Sequence, residues 1–194
     1  TSNRSKSCSI ATKAATTTIS ATTGTVVAGK TLTFTLKADA AGTFSVASNS
    51  TGVATVSPAS ITAAANTEYT VTVTGVAAGT ATITATYATS NSNYNNNNTT
   101  KTYTATITSS AAIPTNSLCV ARTYTGSHQT LTSATSGTGY TLSGYSQSAV
   151  GSHTITATLT SGYRWSDNST GTTTFSCSIA KANPTMNLSA SSGI

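Results

Sequence analysis

Three cysteines, two histidines and three acids are the main resources this 194-residue chain offers for covalent, acid–base or metal chemistry. The acids are Asp39, Glu68 and Asp167, and each stands far from the other two in sequence. A hydrolytic triad needs a nucleophile, a base and a group that orients the base. The only imidazoles are His128 and His153. His153 falls in phase with Ile155 on the inward side of a predicted strand, as a packed strand-end side chain would. His128 follows Tyr124-Thr-Gly-Ser in a turn-like segment and is expected in solvent. No GxSxG, HExxH or phosphate-cradling glycine loop occurs. A glycosidase pair would have to be drawn from scattered acids. Asp167 with Asn168 supplies too few oxygens for calcium, and three widely spaced cysteines match no zinc pattern. The expectation is a chain with no catalytic residue, no metal and no cofactor.

Cysteine has another use. Cys177 shares the inward parity of Phe175 and Ile179, and Cys119 opens the same predicted unit, where a first strand would lie near a last one. A Cys119–Cys177 disulfide is therefore predicted. It would close a loop of about 58 residues and stabilise the unit by roughly 4 kcal/mol on the chain-entropy account. That is substantial for a unit of about 70 residues, whose core is marginal. The rival reading is three reduced thiols buried as small hydrophobes. A disulfide would imply an oxidising, extracellular setting.

The elements that must position these residues are strands. Only 6% of residues are charged, and threonine, which suits the solvated face of a pleated sheet, supplies much of the polarity. Residues 31–37 put Leu32, Phe34 and Leu36 on one face. Residues 69–74 do so with Tyr69, Val71 and Val73, residues 80–87 with Ala81, Ile83, Ala85 and Tyr87, and residues 102–108 with Tyr103, Ala105 and Ile107. Period-2 runs separated by glycine turns are the pattern of a β-sandwich, and apolar faces this wide are buried when two sheets pack together. The nine Lys and Arg give a net charge of +6 but form no dense run, which argues against a nucleic-acid partner. No stretch approaches the ~20 apolar residues of a membrane span.

An internal repeat organises the whole. Residues 8–24 read CSIATKAATTTISATTG and residues 177–193 read CSIAKANPTMNLSASSG, aligning Cys8 with Cys177, Lys13 with Lys181 and Gly24 with Gly193. Residues 1–12 are then expected to be the last strand of a preceding repeat. Residues 13–110 and 111–181 form two units, and 182–194 begin the next copy. Cys8 would pair outside this stretch. SSAAIPTN (109–116) and AKANPT (180–185) are expected as short linkers stiffened by Pro114 and Pro184.

SNSTGVATVSPASITA (48–63) and VTGVAAGTATITATY (73–87) resemble the bacterial immunoglobulin-like domain, group 2, of intimin- and invasin-type adhesins. Two departures are Phe44, where many members carry Trp, and the insertion NSNYNNNN (91–98), expected to be a mobile polar loop. RTYTGSHQTL (122–131), residues 139–165 and TTTFSCSIAKA (172–182) are similar to a shorter immunoglobulin-like repeat of secreted Firmicute and phage-associated proteins. The fold these resemblances imply is all-β, tandem immunoglobulin-like β-sandwiches. Surface domains of this architecture can form a Lys–Asn isopeptide bond beside a buried acid. Glu68 with Lys37 or Lys30 is the only set to consider, and Lys37 and Glu68 fall on the outward parity.

The function expected is that of a structural spacer in an extracellular fibre, filament or adhesin, with neighbouring copies of the same repeat as partners and possible self-assembly. The alternative is a module binding a cell-surface glycan or host protein, or a decoration domain on a phage virion. For sugar stacking the residues to consider are Tyr140, Tyr145, Tyr163 and Trp165, which flank glycine-rich turns and serve equally well as core and strand-end packing.

Overall fold

A computed structural model describes residues 11–95 and 99–184 of the chain. The fold is all-β, and the chain divides into two compact units between Ser109 and Ser110. Cys8, the first ten residues and the stretch from Thr185 onward lie outside the described residues.

The first unit holds β1 (Lys13–Ala14), β2 (Thr17–Ile19), β3 (Thr23–Val27), β4 (Thr31–Ala38), β5 (Gly42–Ser48), β6 (Ala54–Ser57), β7 (Ser60–Ala63), β8 (Glu68–Gly75), β9 (Gly79–Thr89), β10 (Tyr94–Asn95) and most of β11 (Thr99–Ala111). One sheet runs β3-β11-β9-β5-β7 and the other β2-β4-β8-β6. Alternation sends Phe44, Val46, Ile83, Tyr87, Tyr103 and Ile107 inward from the first sheet. Phe34, Leu36, Val71 and Val73 meet them from the second. Small residues at Ala81, Ala85 and Ala105 leave room between the large ones, as close packing of two facing layers requires. The outward positions are threonines in register: Thr80, Thr82, Thr84 and Thr86 lie opposite Thr106, Thr104, Thr102 and Thr100. On the other sheet Thr31, Thr33 and Thr35 lie opposite Thr74, Thr72 and Thr70. Cross-strand pairs of this kind contribute about 0.2–1 kcal/mol each.

The second unit holds a 3-10 turn (Asn116–Leu118), β12 (Arg122–Thr123), β13 (Gln129–Thr130), β14 (Ser136–Gly137), β15 (Tyr140–Ser143), β16 (Ser146–Gln147), β17 (Gly151–Leu159), β18 (Tyr163–Trp165) and β19 (Thr172–Ala180). Five strands form one sheet in the order β12-β19-β17-β15-β14, and β13 pairs with β16 in a separate two-stranded sheet. Leu131, Ile155, Ala157, Trp165, Phe175 and Ile179 fill that core. Most strands here are two to four residues long, so little apolar alternation marks them in the sequence.

Two expectations change. The stretch 109–116 is not a free linker: Ala111 is fully buried in the second core, its carbonyl accepts from Ser166 N at 2.9 Å, and Pro114 is buried too. The insertion at 91–98 is not wholly unpaired: Tyr94 finds apolar cover on the first core and β10 pairs in parallel with β1. Residues 96–98 lie outside the described residues.

Candidate functional site

The acids and imidazoles weighed from the sequence stand at different places along the fold. Asp167 closes a turn, its Oδ1 accepting from Ser169 N at 2.8 Å and Ser169 Oγ at 2.6 Å. Glu68 stands exposed at the start of β8, opposite Lys37 across the β4–β8 ladder. His128 is exposed. His153 is half-buried, opposite Cys177 in the β17–β19 ladder, with Nε2 at 2.7 Å from the carbonyl of Ala149. Among the described residues no three His, Cys, Asp or Glu side chains gather as a metal site, and no helix is long and apolar enough to cross a membrane.

The aromatic residues of the second unit are placed by packing. Trp165 is only 1% exposed, and its indole N–H donates to the carbonyl of Gly171 at 3.1 Å. Tyr140 tilts against it with ring centroids 5.6 Å apart. Trp165 is therefore not the exposed sugar-stacking ring considered from the sequence; its strand parity turns it into the core. Tyr140, Tyr145 and Tyr163 are half-buried against the same cluster. A side chain at Gly137 would collide with the Tyr140 ring, and one at Gly139 with the Tyr163 ring. The glycines that flank these tyrosines let the rings lie flat on the backbone.

What the structure does assemble is a tie between incoming and outgoing chain in each unit. In the first, β3 lies parallel to β11 with Thr23 to Val27 opposite Thr104 to Thr108. The pairing is extended by Thr104 N donating to Thr22 O at 2.8 Å and Ala28 N to Thr108 O at 3.0 Å. In the second, Cys119 and Cys177 are joined, with an S–S distance of 2.01 Å and Cα atoms 5.4 Å apart. Cys177 is buried beside Phe175 and Ile179, whereas Cys119 is half-buried just after the 3-10 turn. The Oδ1 of Asn116, in that turn, accepts from Ser176 N at 3.3 Å.

A smaller latch holds the first strand of the first unit. Lys13 Nζ lies 2.8 Å from Asp39 Oδ2 and 5.4 Å from the centre of the Tyr94 ring. Asp39 Oδ1 accepts from Thr16 N at 2.8 Å. The hydrogen bond from Lys13, then that from the Thr16 amide, holds the Asp39 carboxyl below its usual range, and the same bond raises the Lys13 ammonium. Asp39, Thr16, Thr18, Lys37, Ala38 and Asn66 line a surface depression there. Sequence reasoning passed over this latch; the available signal was the Lys-Ala pair that recurs in the internal repeat. Burial raises Tyr87 and Tyr103 above their ordinary phenol values.

No known family model matches the chain, nor does any curated protein. Among solved structures, domains 4 and 5 of the S-layer protein SbsC share 28% identity over 47% of this chain and 50% of theirs, at a TM-score of 0.37. Domains 5–6 of SbsC share 17% over 87% of this chain and 98% of theirs, at 0.39. WR4, an MSP family member of C. elegans, shares 13% over 47% and 96%, at 0.42. The chain spans half the length of the first of these. Every TM-score is below 0.5, so fold and function rest on this chain's own geometry.

Proposed function

We propose that this chain is a structural spacer: a non-catalytic pair of immunoglobulin-like sandwiches that transmits tension in an extracellular surface protein built of similar repeats. One observation carries the reading. Each unit ties its incoming segment directly to its outgoing strand, by the β3–β11 ladder in the first and by the cystine in the second. Parallel neighbours that are pulled from opposite chain ends slide along each other, so the bonds of the ladder share the load. An antiparallel hairpin pulled at its open end loses its bonds one at a time. Each backbone bond contributes only about 0.5–1.5 kcal/mol, so simultaneous loading is what makes a short ladder resistant.

Two further features support it. The cystine suits a compartment outside the reducing cytosol. The acids and imidazoles are few and scattered along the chain, which does not favour the paired groups that acid–base catalysis uses. We infer also that the first unit belongs with the bacterial group 2 immunoglobulin-like domains, since VATVS spans the turn into β6 and GTATITATY lies along β9. Its partners are then neighbouring copies of the repeat.

Force spectroscopy on the chain with and without Ala28→Pro tests the proposal. The substitution removes the Ala28 N–H that donates to Thr108. The first unit should unfold at a force well above that of a peeling hairpin, and the variant at a clearly lower one. Equal, low forces for both would overturn the spacer reading.

A further inference from the structure

We propose that the two units divide the work of a loaded chain: the second is a link of fixed length, and the first is the part that pays out. The inference rests on the spacer reading and concerns how that spacer is regulated.

Tension arriving at Ser110 follows the backbone to Cys119, crosses the cystine and leaves through Cys177 to Ala180. Residues 120–176 lie in a loop whose two ends are covalently held with Cα atoms 5.4 Å apart. That loop contains β12 through β18 and the first part of β19, almost the whole of the second sandwich. While the bond is intact, only the hydrogen bonds that join the loop to the two arms bear load, such as Ser166 N to the carbonyl of Ala111 and the short parallel pairing of Arg122 with Ile179 and Thr123 with Ala180. If the core of this unit melts, only the arms on either side of the bridge can straighten. Its length is set by a covalent bond.

The first unit has no such bypass, for none of its described residues is a cysteine. Its resistance is the β3–β11 ladder together with the Lys13–Asp39 latch. Once these part, all the chain between Val27 and Thr104 becomes free, about 250 Å at roughly 3.3–3.6 Å per extended residue. Overload is thus absorbed by one unit and excluded from the other.

The test is a length measurement on the whole chain, held by handles at its two ends and carrying Cys8→Ser so that one cystine alone can form. At high force the oxidised chain should show one long release, from the first unit. Dithiothreitol then supplies two electrons: one of its thiolates attacks a cystine sulfur and forms a mixed disulfide. Its second thiolate closes on the reagent's own sulfur, leaving Cys119 and Cys177 as thiols and the reagent as its cyclic disulfide. The stretched chain should lengthen by about 200 Å, the reach of the 58-residue separation. Because fully stretched length is read, the result does not depend on whether the reduced unit refolds. An oxidised chain that already pays out this length, or a reduced one that gains none, overturns the inference. Low unfolding forces with these lengths intact would instead count against the sheared ladder alone.

Discussion

Tyr103 of β11 stacks on Phe34 of β4 across the gap between the two sheets of the first unit, with ring centroids 4.6 Å apart and planes 18° from parallel. This is the contact that couples the strand under load to the opposite sheet, and the hydroxyl end of Tyr103 lies where a side chain at Gly24 would have to go. Tyr103→Ala leaves a void that neither sheet can close alone. It should cost about 3–5 kcal/mol in urea unfolding of the first unit, and a loss under about 1 kcal/mol would show that the ring is dispensable.

Trp165 is the only tryptophan in the chain and sits in the second core. Its fluorescence should report that unit alone: blue-shifted and poorly quenched by acrylamide when folded, red-shifted and quenched when unfolded. Soluble oligosaccharides should leave the emission unchanged. A spectral response to a sugar would reinstate the stacking role considered from the sequence.

Removing the cystine with Cys119→Ala and Cys177→Ala should destabilise the second unit by roughly 2–5 kcal/mol, seen as an earlier denaturant midpoint of the Trp165 signal. The midpoint of the first unit, followed by far-UV circular dichroism, should not move. A shared shift would mean that the two units unfold as one.

The pH dependence of the first unit has two limbs. Asp39 is held below its ordinary value of 3.8, chiefly by Lys13. Its contribution is therefore present above that value and lost as pH falls through the lower folded one. Lys13 is raised above 10.5 by the same bond, so its share is present below 10.5 and lost as pH rises through the folded value. Buried Tyr103 and Tyr87 are raised above 10.0. The unfolded chain ionises first, and stability falls once pH passes about 10. Thermal melts from pH 2 to 11 should show both limbs, and Asp39→Asn should flatten the acidic one. An unaltered acidic limb in that variant would remove Asp39 from the account.

Gly42 and Gly52 offer a matched pair. A Cβ at Gly42 would lie 2.3 Å from the carbonyl of Ala88 and 2.6 Å from the Tyr87 hydroxyl oxygen, whereas one at Gly52 meets nothing within 4 Å. Gly42→Ala should cost about 1–3 kcal/mol, as overpacking does. Gly52→Ala should stay within about 0.5 kcal/mol of the parent. Equal effects on melting temperature would contradict the close approach of β5 to β9.

How much could be read beforehand follows from strand length. In β4, β8, β9 and β11 every second residue is apolar over five to seven positions, and threonine fills nearly all the rest, so period and face are written in the chain. In the second unit only β17 and β19 are long enough to show period 2; the strands around them run to two to four residues, where it has no room to show. Trp165 illustrates the loss: beside Gly-rich turns it reads equally as ligand platform or core, and only the burial of its ring decides. Ala111 and Pro114 are similar, because small residues near a proline look like a joint until a core is seen to close over them. The Lys13–Asp39 pair joins residues 26 apart, beyond the reach of any local pattern.

The threonine rows carry one more consequence. Two sheet faces of the first unit present paired hydroxyls where many proteins present Lys and Glu. A hydroxyl neither titrates in water nor gathers counter-ions, so screening has little to act on. Such a surface should keep its stability in brine and in dilute medium alike, where a scaffold laced with ion pairs would soften as ionic strength rose.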